Sequence, residues 1–217
     1  MGFIEGLHRW CVAVALALLA ATAAAVNRPA ILVLGDSLSA EYGLPRDTGW
    51  VKLLADRLAA ERTVGSQYSV VNASISGETT AGGRARLPQL LEQHRPRIVI
   101  IELGGNDALR GLPLATVRAN LRAMIEACQA AGARVLLVGM RIPPNYGRDY
   151  AEGFHRLYAE LARETKSALV PFLLEGFADA PEYFQPDRIH PNGRAQPRML
   201  ENVWPHLWPL LVDLSKR

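Results

Sequence analysis

The stretch LVLGDSLSAEYG, residues 32–43, decides how the fold and the chemistry of this sequence are interpreted. It continues an apolar run that begins at Ala30 and stops at Gly35. A short apolar run that ends at a glycine predicts a strand buried inside a sheet. Asp36 and Ser37 follow at once, so the serine is predicted to lie where a strand ends. Its role could be that of a helix cap, a turn residue or a nucleophile.

The same alternation of short apolar runs and longer helical patterns continues along the chain. Strands are predicted at Ala30–Gly35, Tyr68–Ser74, Arg97–Leu103, Arg134–Met140 and Ala168–Phe172. Helices are predicted at Gly49–Glu61, Gly83–His94, Leu114–Gly132 and Tyr150–Glu164, and within Asn192–Leu211. Pro88 could mark a late helix start or a kink, and prolines leave the shape of the last helix open.

Strands that are apolar on both faces and alternate with helices indicate parallel pairing with helices on each side. We therefore expect one α/β domain with three layers, α/β/α, around a mostly parallel sheet of five strands. Ligands of such sheets bind beyond the carboxyl ends of the strands. Residues that follow a strand, such as Ser37, Gly77 and Asn106, are thus candidates for a shared site.

Length and composition agree with a single globular domain. The chain has 217 residues, of which 49% are apolar and 21% are charged, and its net charge is +3. The arginines are scattered along the sequence and form no run of five or six, so the pattern does not indicate a nucleic-acid surface.

The N-terminal segment differs from the rest. Arg9 precedes the apolar run CVAVALALLAATAAA, residues 11–25, which is shorter than the roughly 18 residues of a membrane span. An Ala-x-Ala pattern ends at Ala23 or Ala25. We expect a signal peptide over residues 1–25, a mature domain over residues 26–217, a periplasmic or secreted location and no membrane span after cleavage. A retained anchor or a buried helix is the alternative, and Glu5 weakens the positive region.

Cysteine usage predicts neither a disulfide nor a metal site. Cys11 would leave with the signal peptide, and Cys128 would then stand alone as a small apolar residue on a buried helix face. No Cys/His cluster has metal-ligand spacing, so we expect no metal and no cofactor.

A serine nucleophile needs a base, a group that orients the base, and donors for the oxyanion. In DRIHPNG, residues 187–193, Asp187 and His190 are three positions apart, which in a turn brings both side chains to the same side. The alternatives are a helix-capping or turn-forming aspartate and a solvent-facing loop histidine.

Two further loops offer oxyanion donors. Gly77 lies in SISGETT, where a backbone N–H without a Cβ beside it can approach a substrate closely. Asn106 follows two glycines in LGGNDALRG, and its amide can donate to an oxyanion. Ordinary glycine turns and a turn-forming asparagine are the alternatives. We interpret Asp36 and Asp107 as acceptors that shape these loops, and expect Ser39, the nearest rival of Ser37, to point elsewhere.

Four segments, GDSLS, SGETT, GGND and DRIHPNG, resemble in this order the four sequence blocks of the SGNH, or GDSL, hydrolases. The resemblance implies a flavodoxin-like three-layer fold. It also implies that Ser37 is the nucleophile, that Asp187 and His190 are acid and base, and that the Ser37 N–H, Gly77 and Asn106 form the oxyanion hole.

The stretches ARLPQLLEQHRPR, ELGGNDALRG and RIPPNYGRDY are further similar to the exported bacterial thioesterases, arylesterases and lysophospholipases of that family. This implies a serine esterase for fatty acyl thioesters, aryl esters and lysophospholipids, and we expect a monomer without a nucleic-acid partner. The segments 140–149 and 77–86 would form the walls of the acyl groove, with substrate contacts from Ile142, Pro143, Pro144 and Tyr146. The alternative for segment 140–149 is a rigid surface loop without a binding role. A carbohydrate deacetylase on the same scaffold and a non-enzymatic flavodoxin-like binding protein are the alternatives.

Overall fold

The computed structural model describes residues 28–215, apart from the side chains of Pro144 and Ser215. The predicted signal peptide, residues 1–25, lies outside the described residues and stays a prediction. Within the described part of the chain, no helix combines the length and the apolar character that crossing a bilayer requires.

Five strands form one sheet, and every pairing between neighbours is parallel. The order across the sheet is β2-β1-β3-β4-β5. This order belongs to doubly wound sheets, whose ligands bind where the winding direction reverses, between β1 and β3. The strands are β1 (Ala30–Gly35), β2 (Ser69–Asn72), β3 (Ile98–Glu102), β4 (Arg134–Val138) and β5 (Ala168–Val170).

Residues 28–215 contain six α-helices, and five of them cover the two faces of the sheet. One group consists of α2, α4 and α5, which pack side by side, and the other consists of α1 and α6. The predicted three-layer fold is confirmed. The helices are α1 (Trp50–Ala60), α2 (Thr80–His94), α3 (Gly105–Leu109), α4 (Leu114–Ala130), α5 (Arg148–Thr165) and α6 (Gln196–Ser215).

The apolar pattern of the sequence explains which faces are buried. All residues of β1 and β3 are buried, as expected for central strands covered on both faces. In α1 the buried side chains recur three and four positions apart, at Val51, Leu54 and Leu58, which gives one apolar stripe toward the sheet. Cys128 is fully buried on α4, in agreement with its prediction as a small apolar core residue.

Three helical segments differ from the sequence-based prediction. Helix α2 begins at Thr80, three residues before the predicted start, because the Thr79 side chain accepts a hydrogen bond from the Gly82 N–H and caps it. Pro88 lies inside α2 on its exposed side, where water can bind the carbonyl that loses its partner. Helix α6 runs through Pro205 and Pro209 and ends beyond the predicted segment. Helix α3 has five residues, too few to show a period in the sequence.

A glycine at the end of β4 allows the chain to pass close to the segment after β5. Gly139 donates to the Val170 carbonyl at 2.8 Å and accepts from the Leu173 N–H at 3.0 Å. A Cβ at this position would lie 2.3 Å from the carbonyl oxygen of Pro171, a backbone atom that directly follows β5. No side-chain rearrangement can relieve that overlap.

Gly139→Ala should therefore lower the free energy of unfolding by about 3 kcal/mol, the upper range for overpacking. Gly193→Ala is the matched control, because nothing lies within 4 Å of its added Cβ, and its effect should stay within about 0.5 kcal/mol. Urea unfolding followed by circular dichroism measures both. Equal losses in the two variants would contradict this account of Gly139.

Candidate active site

The loop after β1 presents Ser37 at the carboxyl edge of the sheet. Directly after the strand, the Asp36 carbonyl accepts hydrogen bonds from the N–H groups of Ser39 and Ala40, at 3.2 and 2.9 Å. These bonds wind the chain into a tight turn whose second residue is Ser37, and its side chain remains half-buried. Ser39 is buried and points inward, as expected.

His190 reaches this loop from a distant part of the chain. Its Nε2 lies 3.0 Å from Ser37 Oγ, and its Nδ1 lies 2.7 Å from Asp187 Oδ2. The other carboxylate oxygen of Asp187 accepts the N–H groups of Ile189 and His190, each at 3.0 Å. The turn passes through Arg188 with a positive φ of 58°. The structure thus brings the three residues predicted as nucleophile, base and acid into one hydrogen-bonded row.

Hydrogen bonds keep the Asp187 carboxylate ionised. The backbone N–H of His190 is the largest cause, and with the imidazole and the Ile189 N–H it lowers the pKa of Asp187 to about 2. A charged acceptor at Nδ1 fixes the tautomer of His190 that leaves Nε2 free to accept the hydroxyl proton of Ser37.

Two residues that the sequence analysis missed support His190. The ring of Tyr42 lies 4.3 Å from the His190 ring, centroid to centroid, at an interplanar angle of 37°. Gln185 Nε2 donates to the carbonyls of Tyr42 and Pro191, at 2.7 and 3.2 Å, and so joins the two loops. Tyr42 stands in the quoted stretch, but a contact over so long a sequence separation has no local signal.

The two predicted oxyanion loops are tied to the nucleophile loop. Gly77 has a φ of 79°, which favours glycine, and nothing lies within 4 Å of where a Cβ would stand. Its carbonyl accepts from Arg110 Nη2 at 3.2 Å, which connects it to the end of α3. The amide of Asn106, in the first turn of α3, donates to Asp36 Oδ2 at 3.0 Å. Ser37, Gly77 and Asn106 therefore follow three adjacent strands.

Asp36 and Asp107 both act as the loop-shaping acceptors that the sequence predicts. Asp36 also accepts the Leu38 N–H, at 3.0 Å. Asp107 accepts the N–H and the hydroxyl of Thr80, at 2.9 and 2.5 Å, and so anchors the start of α2.

A further buried carboxyl, missed by the sequence analysis, lies beneath the nucleophile loop. Glu102 Oε2 accepts the Ser39 hydroxyl at 2.7 Å and the Asp36 N–H at 3.3 Å. Burial is the main cause that raises the pKa of Glu102 well above its usual range, and the charge of the neighbouring Asp36 carboxylate is the second cause. Burial also raises the pKa of Asp36, to about 6. Gly35 leaves room for this arrangement, because a Cβ there would lie 2.7 Å from Ser39 Oγ and 2.8 Å from Glu102 Oε2.

The predicted substrate-binding segment is split between core and surface. Ile142 is only 8% exposed and packs in the hydrophobic core, so it does not form an open wall. Pro143 is exposed, Pro144 starts the 3₁₀ turn Pro144–Tyr146, and Tyr146 is 41% exposed. The other predicted wall, residues 77–86, is mostly the first turns of α2 and not a loop. Within residues 28–215, no three or more His, Cys, Asp or Glu are grouped to hold a metal ion.

A hydroxyl, an imidazole and a carboxylate in a row are what an enzyme needs to attack an acyl carbon with serine, so fold and site define the class of serine hydrolases. Comparison with known proteins agrees. The model of the GDSL-like Lipase/Acylhydrolase family matches residues 33–196. This chain therefore belongs to the GDSL-like lipase/acylhydrolase family, and the resemblance found in its sequence is confirmed.

Several similar proteins carry the names of esterases or thioesterases. The esterase TesA of Pseudomonas aeruginosa is 54% identical over 197 residues, covering 91% of this chain and 95% of the relative. The crystal structure of TesA covers 83% of this chain and 99% of its own, with a TM-score of 0.80. An arylesterase of Vibrio mimicus is 46% identical over 80% of this chain and 85% of its own. Thioesterase 1/protease 1/lysophospholipase L1 of Escherichia coli K12 is 45% identical over 83% of this chain and 84% of its own.

The low pKa of Asp187 gives a prediction for titration. This carboxylate should keep its charge from about pH 8 down to about pH 5, because its folded pKa lies below the ordinary value. Its ¹³C carboxyl chemical shift, assigned by comparison with Asp187→Asn, should stay in the range of an ionised carboxylate throughout. The charge and its contribution to stability should be lost only as the pH falls from the ordinary value toward about 2. A carboxyl titration of Asp187 near neutral pH would contradict the hydrogen bonding described.

Proposed function

We propose that the protein is a serine esterase that hydrolyses fatty acyl thioesters, aryl esters and lysophospholipids through an acyl-enzyme on Ser37. The observation that carries the proposal is the 3.0 Å contact between Ser37 Oγ and His190 Nε2. Nδ1 of the same imidazole contacts a carboxylate oxygen of Asp187. The names of the relatives, an esterase, an arylesterase and a thioesterase/lysophospholipase, support the range of substrates.

In the first half of the reaction, His190 Nε2 takes the hydroxyl proton as Ser37 Oγ attacks the acyl carbon. The bond between Oγ and that carbon forms, and the carbonyl electron pair moves to the oxygen. Asp187 stabilises the imidazolium that results. When the tetrahedral intermediate collapses, the bond to the alcohol or thiol breaks, and His190 gives its proton to the leaving group.

The oxyanion would be met by the N–H groups of Ser37 and Gly77 and by the amide of Asn106. The positive φ of Gly77 and the absence of neighbours around its Cβ position leave space for a substrate atom beside its backbone. Donors fixed before the reaction stabilise the charge that develops on the oxygen without any need to reorient.

Water completes the cycle. His190 takes a proton from a water molecule, whose oxygen attacks the acyl carbon of the ester on Ser37. The second tetrahedral intermediate collapses to the carboxylic acid, and His190 returns its proton to Ser37 Oγ. No cofactor enters this sequence of steps.

Apolar side chains around the site support an acyl or aryl substrate. In residues 28–215, the exposed large hydrophobic residues are Tyr42, Ile75, Tyr146 and Ile189, between 41 and 52% exposed. Each follows a strand of the sheet or lies beside His190. We infer that Pro143 and Tyr146, together with the residues near Ser37, contact the apolar part of the substrate.

The location and the domain boundaries belong to the same proposal. Residues 1–25 would be removed as a signal peptide, and residues 26–217 would act as a monomeric enzyme in the periplasm or outside the cell. The apolar run before Ala25, with Arg9 ahead of it, supports this.

Variants of two residues test the mechanism. Ser37→Ala should reduce hydrolysis of p-nitrophenyl butyrate to background and abolish labelling by a fluorophosphonate. Asn106→Ala should lower kcat by roughly 10²- to 10³-fold, the usual loss for one oxyanion donor. Thermal melts control for folding. Retained activity in Ser37→Ala would overturn the mechanism, and normal turnover in folded Asn106→Ala would remove that residue from the site. If the fluorophosphonate does not label the wild-type protein, the result would favour the alternative of a non-enzymatic, flavodoxin-like binding protein.

A series of p-nitrophenyl esters tests the substrate class. kcat/KM should rise from acetate to medium-length acyl chains because apolar surface is buried. Tyr146→Ser should then lower kcat/KM for long chains roughly 5- to 10-fold, with acetate as the internal control. Turnover of acetate alone would contradict the proposal and favour a carbohydrate deacetylase.

A further inference from the structure

The buried carboxyl pair under the nucleophile loop has no part in the mechanism described so far. Glu102, the last residue of β3, is fully buried, and its register partner on β1 is Gly35. The hydrogen bonds to its Oε2 come from neutral groups, the Ser39 hydroxyl and the Asp36 N–H. Its other oxygen, Oε1, is buried without a hydrogen-bond partner. An ionised carboxylate in such a place would be very costly.

Asp36, 2% exposed, lies beside Glu102, since its backbone N–H donates to Glu102 Oε2 at 3.3 Å. Burial, and the negative charge of a neighbouring carboxylate, disfavour ionisation of both groups at once, so one of the two carries a proton. Asp36 has a donor on each oxygen, the Leu38 N–H on Oδ1 and the Asn106 amide on Oδ2, both at 3.0 Å. Such bonds favour the charged form of Asp36. The unpartnered Oε1 leaves Glu102 as the place for the proton.

We propose that Glu102 is protonated, and therefore neutral, in the working enzyme beneath an ionised Asp36, which holds the Asn106 amide and the Ser37 loop in their catalytic positions. Both are positioning residues, since they act through Asn106 and the loop. The importance of that position for turnover rests on the function proposed above. The protonation of Glu102 does not.

A neutral Glu102 and a negatively charged Asp36 agree with the roles of the groups around them. One hydrogen of the Asn106 amide is directed at Asp36, so the second is held in a fixed direction and can serve the oxyanion. A second negative charge under the loop would repel the developing oxyanion, and the proton on Glu102 prevents it. The single charge on Asp36 also interacts favourably with a protonated His190.

Two isosteric substitutions distinguish the members of the pair. Glu102→Gln keeps the side chain neutral and keeps a carbonyl oxygen for the Ser39 hydroxyl and the Asp36 N–H, so kcat should stay within about threefold of the wild type. Asp36→Asn offers one carbonyl oxygen to two donors, so it should lower kcat roughly 10- to 10²-fold, less than deletion of the Asn106 amide, with little change in KM. The opposite order of effects would overturn the proposal.

Asn120→Ala is the control for the loss of buried hydrogen bonds away from the loops of the site. Asn120, on α4, is also buried, and its side chain also makes two hydrogen bonds, as acceptor from Arg84 and as donor to Thr80. This variant should lower the melting temperature about as much as Asp36→Asn and keep kcat within a few-fold. If it lowers kcat as much as Asp36→Asn does, the effect is general destabilisation and the positioning role fails.

Infrared spectroscopy tests the proton directly. The wild type at neutral pH should show the C=O stretch of a buried protonated carboxyl, and Glu102→Gln should lack it. Absence of that band in the wild type would overturn the proposal even if Glu102→Gln fails to fold. The result does not depend on turnover. If Ser37→Ala kept its activity, the proposed function would fail while the band remained.

Discussion

The parallel pairing of β1 with β3 is the constraint on which the site depends. It sets Gly35 opposite Glu102, and it places the loop that carries Ser37 next to the helix start that carries Asn106. Since β2 lies on the other side of β1, the Gly77 loop opens at the same edge. A hydrogen bond from the Ile75 N–H to the Gly35 carbonyl, 3.0 Å long, closes this arrangement. Backbone register thus sets the geometry before any functional side chain is considered.

The site keeps its acids in different charge states by different physical means. Asp187 lies in a turn that is open to water, and backbone N–H groups directed at it favour the anion. Glu102 lies where water does not reach, next to another carboxyl group, and both effects favour the neutral form. Asp36 stands between these extremes, buried but supplied with a donor on each oxygen. Burial and donor count, and not residue type, decide what each carboxyl can do.

Much of the fold could be predicted from the sequence because central parallel strands are short continuous apolar runs. The predicted strands and the main helices are present, with ends that shift by a few residues. Helix α3 was missed because five residues hold no periodicity, and the start of α2 depends on the cap at Thr79 and on the contact of Thr80 with Asp107.

The candidate site divides in the same way. Ser37, Gly77, Asn106 and the Asp187–His190 turn could be proposed because each belongs to a short motif that follows a strand or forms a turn. The hydrogen bond of the Asp36 N–H to Glu102 and the tilted ring contact of Tyr42 with His190 depend on register and on contacts between distant segments. A local pattern cannot show these. Ile142 likewise follows a strand, yet its side chain turns into the core.

The absence of a side chain at Gly35 has a consequence for how this sequence can change. A methyl group at position 35 would overlap with the side chains of Ser39 and Glu102. A shorter side chain at position 39 or 102 would leave a polar cavity beneath the loop. Substitutions at positions 35, 39 and 102 are therefore expected to be correlated. A replacement at one of them becomes tolerable only on a background in which another has already changed, so lineages that differ at these positions should be separated by paired steps and not by single ones.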